Sequence, residues 1–212
     1  ASMHARQAVS RSFLVVFIFL FMLALAGPAQ AAPLAEPGSA AGAPILLQYT
    51  ASGHVLGFAA DKVYLAGLEH ALTMAFVNGQ SKTPTGEAAA SSAGANGTPA
   101  LGRVTYHDMW PGVDVVYTAA QGGLAESGYI IKAGANPEDI QLAYNTPAQL
   151  MADNRLCFAF ESGYMTESAP VAFQEINGQR IPVAVRFRLN DGLVGFTLGH
   201  YNPEHALTID PL

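Results

Sequence analysis

Cysteine is all but absent: Cys157 is the single one in 212 residues, so no intramolecular disulfide exists and stability has to come from apolar burial. Tryptophan is also single, at Trp110, which argues against a sugar-cleaving cleft lined with indole rings. Charge is sparse at 12% of residues, and basic residues are the scarcer kind, 10 Lys and Arg against 16 Asp and Glu. Without Arg6 and Arg11 of the N-terminal segment the balance is 8 against 16, a net charge of −8, which excludes nucleic acid and anionic membrane as natural partners. The sequence has no Gly-x-Ser-x-Gly elbow, no phosphate-cradling glycine loop, no calcium loop of spaced Asp and Asn, and no His-x-Glu-x-x-His pair. Helix-period patterns are nearly missing too.

One long apolar run is present. Arg6 and Arg11 precede Phe13–Ala26, then Gly27-Pro28 and Ala29-Gln30-Ala31 follow. Basic residues, an apolar stretch of fourteen residues and an Ala-x-Ala site read as a secretory signal peptide over 1–31, cleaved after Ala31. The run is shorter than the roughly 20 residues a membrane-spanning helix requires, and no later segment spans a membrane. The expected location is extracytoplasmic: secreted, periplasmic or at the cell surface. Residues 32–44 are rich in Ala, Pro and Gly and read as a flexible leader.

Residues 45–212 read as a single β-rich domain. Val55–Phe58, Lys62–Leu65 and Ala71–Val77 have the spacing of a meander. The stretch at about 78–102, dominated by Ala, Ser, Gly and Thr, is expected to be a disordered surface insertion. Then come Arg103–Tyr106, Val113–Tyr117, a Gln121-Gly122-Gly123 turn and a strand around Tyr129–Ile131. Asn177-Gly178 between Val171–Ile176 and a run from Gln179 predicts a type I′ hairpin, because both turn residues tolerate positive φ. The returning run alternates Val183, Val185, Phe187 and Leu189 with Ala184, Arg186 and Arg188, the period of a half-buried strand. Asp191-Gly192 turns the chain into Val194–Leu198, so three consecutive antiparallel strands are expected. Asn136-Pro137 can cap one helical turn before Ile140. The fold class is therefore all-β, an antiparallel β-sandwich or a rolled-up meander of short strands with little helix.

Polar and titratable side chains that could carry chemistry fall into three groups. His107, Asp108 and Asp114 crowd around Trp110-Pro111-Gly112, but adjacent strand residues point to opposite faces, so Asp108 reads instead as the first residue of a Pro-Gly turn. Glu126, Glu161, Glu167 and Glu175 are scattered carboxylates expected to face outward. His54, His70 and His200 lie in or beside apolar strands as satisfied structural histidines, and Cys157, within Leu156–Phe160, as a small buried hydrophobe. On this reading no residue is assigned as catalytic, cofactor-binding or metal-ligating, no cofactor is implied, and the chain is not an enzyme.

The stretch Arg103-Val-Thr-Tyr-His-Asp-Met-Trp-Pro-Gly-Val-Asp-Val-Val-Tyr117 resembles the signature of a β-rich domain found upstream of SBBP-type β-propeller repeats in bacterial secreted and surface proteins. Further matches follow in order: Gly134-Ala-Asn-Pro137, Ile140-Gln-Leu142, Ala169-Pro-Val-Ala-Phe-Gln-Glu-Ile-Asn-Gly178, Tyr201-Asn-Pro203 and Leu207-Thr-Ile-Asp-Pro211. The Asn-x-Gly-Gln element that opens such domains is not visible here. The resemblance implies a family without assigned catalytic residues and downstream propeller repeats as partners in longer relatives. The expected function is a non-catalytic exported structural or adaptor module. The alternatives are a module that binds a glycan, through Tyr144, Tyr164 or Tyr201, or an envelope protein, and, further off, a secreted glycoside hydrolase.

Overall fold

Short runs with a two-residue apolar period become strands wherever a partner strand can take the backbone hydrogen bonds and a facing sheet can take the apolar side. The computed structural model describes residues 44–51, 53–93, 99–120 and 124–211. Along them run β1 (Leu47–Ala51), β2 (His54–Phe58), β3 (Lys62–Ala66), β4 (Ala71–Phe76), β5 (Thr85–Ala93), β6 (Pro99–Trp110), β7 (Val113–Thr118) and β8 (Glu126–Ile131). They continue as β9 (Leu142–Tyr144), β10 (Ala148–Leu150), β11 (Leu156–Phe160), β12 (Gly163–Glu167), β13 (Pro170–Ile176), β14 (Gln179–Val183), β15 (Val185–Asn190), β16 (Leu193–Leu198) and β17 (Leu207–Pro211). Two sheets have seven strands each, in the orders β1-β2-β3-β4-β9-β16-β15 and β14-β13-β17-β8-β7-β6-β5, and β10-β11-β12 form a third. The three sheets are antiparallel and belong to one compact unit, Ala41–Leu212. The architecture is an all-β sandwich with a smaller third sheet.

Register decides which residues meet in the middle. In the first sheet Phe58 pairs with Val63, Val63 with Met74, Phe76 with Leu142, Leu142 with Val194, and Phe196 with Phe187. That places one apolar side chain from each strand on a common face. In the second, Tyr106 pairs with Val115, Val115 with Tyr129, Tyr129 with Ile209, and Ile209 with Ala172. The two faces close on each other through aromatic edges. Phe58 meets Tyr117 at 5.3 Å between ring centroids, Phe76 meets Tyr106 at 5.1 Å and Trp110 at 5.7 Å, and Tyr129 meets Phe196 at 5.2 Å. Edge-to-face pairs of this kind add about 1 kcal/mol each beyond area burial. The polar tips cross the layer: the Tyr106 hydroxyl donates to the Ala59 carbonyl at 2.8 Å and Trp110 Nε1 to the Val77 carbonyl at 2.9 Å.

The meander of β2, β3 and β4 forms as expected, as does the hairpin at Asn177 (φ 52°) and Gly178 (φ 76°). The single turn after Asn136 is a 3-10 turn, Pro137–Asp139, with the Asn136 side chain accepting from the Glu138 N–H. Three expectations are corrected. The returning run is not one strand: it breaks at the exposed Ala184, leaving β14 on an edge of the second sheet and β15 on an edge of the first. A sandwich turns its corner this way, by a strand that changes sheets, and Pro182 is tolerated because β14 is an edge. The stretch at 78–102 is not a structureless insertion where it is described, since Thr85–Ala93 pairs as an edge strand with the start of Pro99–Trp110, with register shifts at Glu87/Ala88 and Ala88/Ala93. An edge strand satisfies its backbone without burying side chains, so low hydropathy did not forbid it. Cys157 is half-exposed because β11 alternates Leu156 and Phe158 inward with Cys157 and Ala159 outward. The Gln121–Gly123 turn, the signal peptide and nearly all of the leader lie outside the described residues.

Two glycines separate backbone strain from steric crowding. Gly112 (φ 74°) and Gly134 (φ 78°) both hold left-handed backbone, but a Cβ at Gly112 would lie 2.7 Å from Ala135 Cβ whereas one at Gly134 would meet nothing within 4 Å. Gly134→Ala is expected to cost about 1 kcal/mol and Gly112→Ala about 3 kcal/mol once the clash is added. Chemical denaturation of the two variants checks this, and equal losses would contradict the packing at Ala135.

Candidate functional site

The densest buried polar chemistry sits where all three sheets meet. Ser127 and Tyr129 share the inner face of the second sheet with Tyr117, because Tyr117 pairs with Ser127. Tyr144 shares the inner face of the first sheet with Met74, its partner in register. Glu167 ends β12 opposite Leu156, a wholly buried residue, so its carboxyl also runs inward. The Tyr144 hydroxyl donates to Glu167 Oε2 at 3.1 Å and the Ser127 hydroxyl to Oε1 at 3.4 Å. The Tyr129 hydroxyl is buried without a hydrogen bond of good geometry; burial and the Glu167 charge raise its pKa, and only a lesser hydrogen-bonding contribution from Ser127 opposes them. Tyr144 also packs on Phe158 of the third sheet, ring centroids 4.6 Å apart.

Desolvation dominates the electrostatics of this junction. It pushes the Glu167 carboxyl from 4.5 up to about 7, against the opposing pull of the Tyr144 and Ser127 hydrogen bonds. Burial likewise raises the Tyr144 and Tyr129 phenols well above 10, with the Glu167 charge adding to it. Glu167 thus carries its proton through part of the physiological range, and the third sheet is docked through a group whose charge changes there. Glu167 was expected to face outward. The missed signal was the two-residue period of β12, which places Glu167 on the face of the half-buried Met165.

A second cluster forms at the corner between β6 and β7. The left-handed Asp108 (φ 49°) lies in the irregularity between the Tyr106–Val115 and Trp110–Val113 pairs, so the alternation that would send His107 and Asp108 apart is broken. Asp114 Oδ1 accepts from the Asp108 N–H at 2.8 Å, and Lys132 Nζ reaches Asp108 at 2.7 Å and Asp114 at 3.2 Å. His107 Nδ1 lies 3.4 Å from Asp114 Oδ2. The Lys132 hydrogen bond holds the Asp108 carboxyl below the usual carboxylate range. Burial works to raise Asp114, but the Asp108 N–H, Lys132 and His107 outweigh it and lower it overall. Asp108 is not the first residue of the Pro-Gly turn: Trp110 is, with Gly112 in the positive-φ position. The cluster therefore fastens a bulge at the surface.

The remaining candidates do not converge. Glu161 and Glu175 are exposed on separate elements and Glu126 is half-buried at the start of β8. Tyr164 is 75% exposed, whereas Tyr144 and Tyr201 pack against the core, so only Tyr164 of the three presents a ring to solvent. His200 is exposed rather than embedded in a strand. His54 and His70 form a close pair taken up below. Shallow hollows are found among the described residues. One of about 180 Å³ is lined by Asn78, Trp110, Pro111, Asp139 and Gln141, and one of about 50 Å³ lies beside Arg188 and Gly195. Both are smaller than the roughly 300 Å³ at which small-molecule pockets begin.

Fold and sites together define an antiparallel β-sandwich domain whose polar clusters lie at sheet junctions and corners. Residues 61–212 match a domain family described as Domain of unknown function (DUF7948), and the chain belongs to that family. Comparison with curated proteins and with solved structures gives no match.

Glu167 makes a signed prediction. Its folded-state pKa is raised, so its contribution to stability is fully present below about pH 4.5, falls as pH rises, and levels off above about 7. The loss across that window is at most about 3 kcal/mol, and less to the extent that solvent reaches the half-buried Glu167. The lowered Asp108 and Asp114 act with the opposite sign and only at more acid pH. Denaturant midpoints measured from pH 4.5 to 8 should decline for the wild type and stay flat for Glu167→Gln; parallel curves would contradict the buried carboxyl. Removing the poorly bonded hydroxyl by Tyr129→Phe should raise stability by about 1 kcal/mol at pH 7, and a loss would show that its bond to Ser127 is a strong one.

Proposed function

We propose that this protein is a non-catalytic, exported structural or adaptor module of a bacterial secreted or surface protein, of the kind that precedes SBBP-type propeller repeats. The observation that carries the reading is where the resemblance-bearing residues go. Tyr106 and Trp110 cross the core to opposing backbone. Asp114 fixes the Asp108 bulge. Gln174, 2% exposed, donates to the Asn202 carbonyl at 2.8 Å and the His205 carbonyl at 3.1 Å and accepts from the Asn202 N–H at 2.8 Å. The Gly134 N–H donates to the Pro203 carbonyl at 2.8 Å.

Each motif thus staples a loop or joins the two large sheets. A catalytic motif would instead aim its polar atoms into a shared hollow. The acidic surface and the N-terminal apolar run support export, and the rest of the sequence supports a domain stable without disulfides.

The test has two arms. Expression of the full chain in a secreting bacterial host should give a product outside the cytoplasm whose mass corresponds to cleavage after Ala31, and a full-length cytoplasmic product would contradict export. Screening that product against ester and glycoside substrates should give no turnover that depends on a carboxylate. Turnover abolished by Glu167→Gln or Glu161→Gln would overturn the non-catalytic reading.

A further inference from the structure

Two imidazoles meet at one end of the first sheet. Val55 pairs with Ala66, which brings His54, one residue earlier on β2, beside Gly67, one residue after β3. The Gly67 N–H donates to the His70 carbonyl at 2.8 Å, so the turn from 67 to 70 folds His70 back to the same place. The outcome is His54 Nε2 3.0 Å from His70 Nε2. Phe160 supports the far side of His70 with ring centroids 5.1 Å apart, and Ser162 Oγ lies 3.4 Å from His70 Nδ1. Gly67 makes the approach possible: a Cβ there would stand 3.0 Å from both His54 Nε2 and His70 Cε1.

We propose that His54 and His70 together chelate a late first-row divalent transition-metal ion, copper(II) most tightly, with water completing the coordination. A hydrogen bond between two imidazole nitrogens uses the same directed lone pair that a metal uses. Ser162 Oγ beside His70 Nδ1 can accept from an Nδ1–H and leave Nε2 bare for the ion, the orienting role that outer partners play for metal-bound histidine. Two nitrogens 3.0 Å apart, each about 2.0 Å from one ion, subtend roughly 95° at it. That is the angle between neighbouring positions of a tetragonal copper(II) or nickel(II) site, and narrower than the tetrahedral angle zinc prefers. Copper(II) also heads the affinity order for divalent ions on nitrogen ligands. Among the described residues no group of three or more His, Cys, Asp and Glu gathers at a metal-binding distance, so the site as proposed has two imidazole ligands. A pair of histidines held across a strand register on an exported domain is a small capture site for such an ion.

Copper(II) added at one equivalent to the full chain, in a morpholine sulfonate buffer that does not coordinate the ion, is the probe. The electron paramagnetic resonance spectrum should show a tetragonal site with splitting from two imidazole nitrogens. Titration should show binding weakened roughly tenfold by Ser162→Ala, more by His54→Ala or His70→Ala, and reduced by Gly67→Ala, while His200→Ala leaves it unchanged. Circular dichroism establishes that the variants are folded. If the His54→Ala/His70→Ala double variant binds copper with wild-type affinity and spectrum, the proposal fails. If that variant does not fold, the wild-type spectrum decides alone, and splitting from fewer than two imidazoles overturns the site.

Discussion

A sandwich filled with tyrosine and tryptophan is constrained by the tips of those rings, since each buried hydroxyl or indole N–H must find an acceptor or cost free energy. In this domain that requirement organises the fold. Tyr106 and Trp110 meet it by donating across the core to Ala59 and Val77, which locks the second sheet to the turn after β2 and to the residue after β4. Tyr144 meets it with Glu167, which locks the third sheet to the first. Tyr129 meets it poorly, with only Ser127 beside its hydroxyl. The two backbone acceptors are neutral and indifferent to pH, but Glu167 is ionisable and desolvated. The junction of the three sheets is therefore the place where the fold is sensitive to its surroundings.

The same logic explains how separated sequence motifs act as one frame. The stretch around Trp110 supplies the cross-core donors, the Gln174 segment reaches the loop at Asn202, and the Gly134 turn hangs from Pro203. These contacts link parts of the chain far apart in sequence and hold loops whose own side chains bury little. A domain held in this way presents stiff corners and sheet edges to whatever adjoins it, in keeping with a role as a module. Membership of a family of unknown function leaves that role to be argued from the site chemistry.

Much of the architecture was legible from period-two patterns and turn residues. Asn177-Gly178 and Asp191-Gly192 announce their hairpins through positive φ, and the β2-β3-β4 meander follows from close spacing. What was not legible depends on partners the local sequence does not name. The run from Gln179 to Leu189 has one uninterrupted alternation, yet it divides at Ala184 because its two halves pair with different sheets. Thr85–Ala93 carries no apolar signal because an edge strand is held by its neighbour's backbone. Glu167 looked like a surface carboxylate because the burial comes from Ser127, Tyr129 and Tyr144, which reach it only after three sheets assemble. The His54 and His70 pair is a matter of register across β2 and β3, and a spacing search along the chain cannot see it.

The central claim is that a pH-insensitive aromatic sandwich carries a third sheet docked through a protonated Glu167. Amide hydrogen exchange, corrected for intrinsic rates and compared at pH 5.5 and pH 8, tests it most directly. Protection in β10, β11 and β12 should fall at the higher pH while that in β7, β8 and β16 is retained, and the difference should vanish in Glu167→Gln. Protection that is equal in all three sheets at both pH values would contradict the account.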